Sequence, residues 1–160
     1  MNIFNIFLLL AIALVLTFSV PVKAQDEPDD YVDAHNRARI DVGVSPLVWN
    51  ETLADYAEAY AELRHDCRFV LSGGPYGEVI VVGKGDLTAK EAVTVMVDQK
   101  SDYFYETNTC RTGKSCDSYK QVVWKNTVSL GCDKVKCDNG GSFTICEYYP
   151  SGNVAGEKPF

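Results

Sequence analysis

Positively charged residues never gather into a run in this chain. Its 160 residues hold 15 Lys and Arg against 22 Asp and Glu, a formal charge of −7. Nucleic-acid and heparin binding need clustered cations, so this scatter argues against both classes. No Cys-x-x-Cys pair occurs, which argues against a thiolate metal cluster. Gly83-Lys84-Gly85-Asp86 is glycine-rich but lacks the P-loop spacing and the Ser or Thr after lysine, so no phosphate cradle is read there. No Gly-x-Ser-x-Gly elbow, internal repeat or low-complexity tract is present.

Only one stretch approaches membrane-spanning length. Ile3 to Val20 is apolar except for Asn5, Thr17 and Ser19, and the small-residue site Val22-Lys23-Ala24 follows. This is the layout of a secretory signal peptide over residues 1–24, with cleavage after Ala24; the competing reading is a membrane anchor. Cleavage leaves one domain over 25–160 without a further span, and removes Lys23 but no acid, so the charge becomes −8. All six cysteines, Cys67, Cys110, Cys116, Cys132, Cys137 and Cys146, lie in that domain. An even count behind an export signal reads as three disulfides, for which sequence alone leaves fifteen pairings open.

Helical signals come early and strand signals late. Tyr31, Ala34, His35 and Ala38 fall on one helical face, ended by Gly43 and Pro46. Asn50 is a good N-cap for a second helix with an apolar stripe of Leu53, Tyr56, Ala57, Tyr60 and Ala61. Thr88-Ala-Lys-Glu91 is a capping box ahead of Ala92, Val93, Met96 and Val97. Ser118–Trp124, Val128–Val135 and Ser142–Tyr149 are rich in β-branched and aromatic residues and are predicted as strands. Helices first and strands last, without βαβ alternation, predict an α+β domain with an antiparallel sheet.

Gln121-Val-Val-Trp124, Gly131-Cys132 and Cys146-x-Tyr-x-Pro-x-Gly-Asn153 resemble the signatures of the plant pathogenesis-related 1 proteins, members of the wider CAP superfamily of secreted cysteine-rich proteins. The resemblance covers about residues 29–160. It implies an α-β-α sandwich, with helices on both faces of a small sheet, and the bridges Cys67–Cys137, Cys110–Cys116 and Cys132–Cys146. It also implies a central cleft that holds a divalent metal in several relatives through a His-Glu-Glu-His set. His35 and Glu78 stand for the first two positions; Gln99 replaces the second Glu and Ser118 the second His. An amide and a hydroxyl are weaker ligands, so no metal or other cofactor is expected. Leu71-Ser72-Gly73 stands where relatives have His-Ser-Gly. A Ser118–His35–Glu78 triad is the remote hydrolase alternative, and a non-enzymatic role is the expectation.

Two such roles are open, both in plant defence in the extracellular space (the apoplast). The resemblance implies an eleven-residue signalling peptide, Pro150–Phe160, released by a cut between Tyr149 and Pro150 and read by a cell-surface receptor. The ordinary alternative is a tail that packs Phe160 on the domain. A sterol or lipid could instead be held by the aromatic loop Tyr103-Phe104-Tyr105, which is otherwise satellite core. Asn50-Glu51-Thr52 is an N-glycosylation sequon as well as a cap. The protein is expected to be monomeric.

Overall fold

A computed structural model describes residues 26–160. The predicted signal peptide lies outside the described residues. Helix α1 runs from Pro28 to Asp41, with Pro28 in its first turn and a capping box between Glu27 and Asp30. Tyr31, His35, Ala38 and Arg39 form its buried stripe. The short strand β1, Val48–Trp49, leads into α2, Glu51–Ala61. Asn50 caps α2 by accepting from the backbone N–H groups of Thr52 and Leu53. Strand β2 covers Gly77–Gly83. Helix α3, Ala89–Asp98, begins at the Thr88/Glu91 capping box and passes into a 3₁₀ turn over Gln99–Asp102.

A small hairpin of β3, Tyr103–Phe104, and β4, Thr109–Cys110, precedes α4, Asp117–Val122. Strands β5, Ser129–Lys136, and β6, Ser142–Tyr149, complete the chain's regular structure. The main sheet has the order β1-β5-β6-β2, antiparallel except where β1 runs parallel to β5.

The predicted strand over Ser118–Trp124 is corrected here, because Asp117–Val122 is helical. Tyr119, Val122 and Val123 stand at i, i+3 and i+4, and all three are buried. That helical stripe outweighs their β propensity. Strand β2 was not predicted, although Val79-Ile-Val-Val82 is a short apolar run bounded by glycines.

The sheet separates two cores. Val79, Val81, Cys146 and Tyr148 face α1, α3 and α4 and pack with Tyr31, Val93, Met96, Tyr119 and Val122. Ile80, Val135, Phe143 and Ile145 face α2 and pack with Ala57 and Ala61. Gly131 permits the second contact: a Cβ there would stand 2.1 Å from the Ala54 nitrogen, so α2 lies directly on β5. Three bridges join Cys67 to Cys137, Cys110 to Cys116 and Cys132 to Cys146, and no described cysteine is free. The last pair are direct cross-strand neighbours on β5 and β6. By loop entropy it stabilises the fold by about 3 kcal/mol, and the long Cys67–Cys137 loop by about 4 kcal/mol. Among the described residues, no helix is long and apolar enough to cross a membrane.

Candidate functional site

Helix α1 carries His35 into the first core, where it is fully buried. Its Nδ1 lies 2.8 Å from the Tyr31 carbonyl oxygen, and its Nε2 lies 2.8 Å from the Tyr148 hydroxyl. A carbonyl can only accept, so Nδ1 bears the proton and Nε2 accepts from Tyr148. Burial pulls the imidazole pKa down to about 4, with the nearby Arg39 charge acting in the same direction. The ring is therefore neutral at ordinary pH. Burial, then the Glu147 carboxyl, push the Tyr148 phenol well above its usual value.

Glu78 occupies the opposite face of the sheet. The register pairs Gly77 with Tyr148 and Glu78 with Glu147, and successive residues alternate faces. Tyr148 meets His35 on the α1 side, so Glu78 and Glu147 project toward the α2 side. Both oxygens of Glu78 accept from the Ser72 N–H at 3.1 Å, which ties down the 71–74 loop. Glu147 is only 1% exposed, and no hydrogen-bond donor among the described residues reaches its Oε1. Burial first, then the charge and hydrogen bonding of Glu78, push its carboxyl up to about 8. Glu147 thus keeps its proton at neutral pH.

Gln99 and Ser118 meet each other. Gln99 Oε1 accepts from the Ser118 N–H at 3.0 Å, linking the end of α3 to the first turn of α4. Ser118 therefore starts a helix, not a strand. None of the four residues is hydrogen-bonded to another except this pair. Nor does any group of three or more His, Cys, Asp or Glu side chains among the described residues stand in metal-binding proximity. Both His35 nitrogens are committed, and Nε2 is buried with its lone pair directed at the Tyr148 hydroxyl. The residues present do not fit a divalent metal, and His35 is not placed to serve Ser118 as a base.

The tail is docked. From the junction onward, Thr127 Oγ1 donates to the Pro150 carbonyl, and the Gly152 N–H donates to Gln121 Oε1. Asn153 Nδ2 donates to the Asp117 carbonyl, and Asn108 Nδ2 to that of Glu157. The Lys125 N–H donates to the Pro159 carbonyl at 2.7 Å. The Phe160 ring stacks on Tyr105 with centroids 4.9 Å apart and meets Tyr103 edge-on. Tyr103 also packs against Tyr119. Phe104 is 48% exposed beneath the Arg111 guanidinium. Of the three loop aromatics, two are engaged by the tail. Tyr149, Pro150 and Ser151 are exposed, although the Tyr149 carbonyl still accepts from the Val128 N–H.

Several polar features escaped the sequence reading. Arg39 is fully buried and donates to the carbonyls of Ser45, Val122, Trp124 and Thr127. Gln121 is buried between Thr127 and Gly152. A cleft of ≈ 500 Å³ beside β5 is lined by Asp26, Asp55, Glu58, Asp86, Asp133 and Lys134, among others. Burial, with help from Glu58 and Glu62 against the Lys134 N–H, pushes Asp133 up to about 6. Lys134 pairs with Asp26 and Asp86 there. Only acidic residues spread over several elements signal this cleft, and their convergence needs the fold.

Comparison with known proteins agrees with this architecture. Residues 32–148 match the cysteine-rich secretory protein family, CAP. A pathogenesis-related protein 1 of Arabidopsis thaliana is 51% identical over 96% of this chain and 94% of its own length. Pathogenesis-related protein 1B of Nicotiana tabacum is 47% identical over 98% and 94%. Among solved structures, the Schistosoma mansoni venom allergen-like protein 4 superposes with a TM-score of 0.69 at 23% identity, over 83% of this chain and 92% of that one. The chain belongs to the CAP family of cysteine-rich secretory proteins, with plant pathogenesis-related 1 proteins as its relatives.

Proposed function

We propose that this pathogenesis-related 1-like defence protein is secreted to the apoplast, acts without catalysis, and carries its signal in Pro150–Phe160. The carrying observation is the pairing of its polar centre. His35 is closed between Tyr31 and Tyr148, and Gln99 is closed on Ser118. A general base must aim its lone pair at the reacting group, and this imidazole is buried with Nε2 turned onto the Tyr148 hydroxyl. The exposed Tyr149–Pro150 junction supports the signalling role, since a protease needs only to lift the last rung of β6. Release by a cut after Tyr149 leaves the three-bridge domain behind as the scaffold.

The test is a mass-spectrometric survey of extracellular leaf fluid before and after infection. The reading expects the mature chain beginning near Gln25 and, after challenge, a free peptide of residues 150–160. Retention of the chain inside the cell, or an intact tail in every extracellular sample, would contradict it.

A further inference from the structure

We propose that the folded domain is a binding site for its own Pro150–Phe160 segment, able to hold that peptide after the chain is cut and to take it up from solution. The inference extends the release reading but does not require the cut to occur in the plant. Its basis is where the contacts lie. The segment is fixed at two ends, with an exposed bow over residues 154–156 between them, and the far end begins where Asn108 Nδ2 donates to the Glu157 carbonyl. At the near end, Gly152 and Asn153 are held by Gln121 and the Asp117 carbonyl. Gly152 is needed there, because a Cβ would meet the Trp124 ring at 2.8 Å.

At the far end, Pro159 is buried, with its carbonyl on the Lys125 N–H, and Phe160 lies on Tyr105. The Tyr105 hydroxyl donates to the Phe160 main-chain oxygen at 2.8 Å, and the Lys158 ammonium sits 4.2 Å above the same ring. Tyr105 thus reads Lys158 by charge and Phe160 by ring and main-chain oxygen, while the Lys125 N–H holds Pro159 between them. Cleavage before Pro150 breaks none of these contacts. Tyr103 and Tyr105 of the hairpin, with the Lys125 N–H, then form a peptide platform that fits a Lys-Pro-Phe end. A free peptide from one copy has the chemistry to occupy the vacated seat of another.

The experiment inserts a site-specific protease sequence between Tyr149 and Pro150 of the full disulfide-bonded chain. After cleavage and exhaustive dialysis, the domain is titrated with a fluorescein-labelled peptide of residues 150–160. Saturable anisotropy is expected, weakened at least about tenfold by Phe160→Ala in the peptide or Tyr105→Ala in the domain. Absence of saturation up to roughly millimolar peptide, or equal binding of a reversed-sequence peptide, overturns the proposal. Should circular dichroism show the cut domain unfolded, the uncut chain supplies the readout. There, exchange of the Lys125 amide is expected to quicken at least about tenfold on Phe160→Ala, and unchanged exchange overturns the proposal. Failure of the seat leaves the release reading standing, since free peptide in leaf fluid tests that separately.

Discussion

Two buried charged residue types show how this interior is balanced. Arg39 has no carboxylate partner among the described residues; burial draws its pKa down to about 10, so it stays charged, and four carbonyls satisfy its guanidinium. It pins the end of α4 and the following loop to α1. Glu147 is solved differently, by keeping a proton beside Glu78. That proton has a linkage cost. The folded pKa of about 8 exceeds the ordinary glutamate value of 4.5, so the native state holds the proton more tightly than the unfolded chain. Its stabilisation is complete at pH values below the unfolded pKa and is lost as pH rises toward 8. Glu147→Gln supplies the protonated shape permanently. It is expected to leave the urea midpoint unchanged near about pH 3.5 and to raise stability by roughly 2–3 kcal/mol at pH 7. A constant difference across that range would show that Glu147 is ionised in the native state. Neither residue's role was legible in sequence, because an arginine beside Ala38 and a glutamate in a strand read as surface charges until the fold buries them.

At the scale of elements, the caps were the clearest signals. Asn50 and the Thr88/Glu91 box announce α2 and α3 because capping is local chemistry between residues two or three apart. Helix α4 was not legible. Its six residues are too few to show a second turn of pattern, and Tyr119, Val122 and Val123 carry β propensity that only packing under α3 overrides. Strand β2 hid behind Gly77 and Gly83, which made it resemble a loop. The contact of α2 with β5 gives a sharp test of packing. Gly131→Ala places a methyl 2.1 Å from the Ala54 nitrogen and 2.6 Å from the Leu53 carbonyl carbon, all backbone. Backbone cannot rotate aside, so the helix must shift. A destabilisation of about 3 kcal/mol is expected by thermal or urea denaturation, at the upper end for overpacking. A variant with unaltered stability would mean that α2 does not lie against β5 as described.

For the whole molecule, the framework and the centre tell different stories. Helices over both sheet faces and three bridges reproduce the CAP architecture. The family resemblance carried this far because cysteine positions and signature turns are spelled in sequence, and the resemblance itself implied how the cysteines pair. The positions it assigned to one cleft do not share one: strand alternation sends Glu78 and Tyr148, and with Tyr148 His35, to opposite faces. Such alternation is invisible before the register of β2 on β6 is known. The molecule that results is a cross-linked support with a tail laid over aromatic rings, and its core imidazole is bonded at both nitrogens.

That account is tested most directly by nitrogen NMR of the His35 ring from about pH 5 to pH 8, with and without added zinc. The account predicts the neutral tautomer protonated at Nδ1 throughout, with protonation beginning only as pH approaches 4, and no response of Nε2 to the metal. A titration centred near the ordinary histidine value, or a zinc-dependent shift of Nε2, would contradict it.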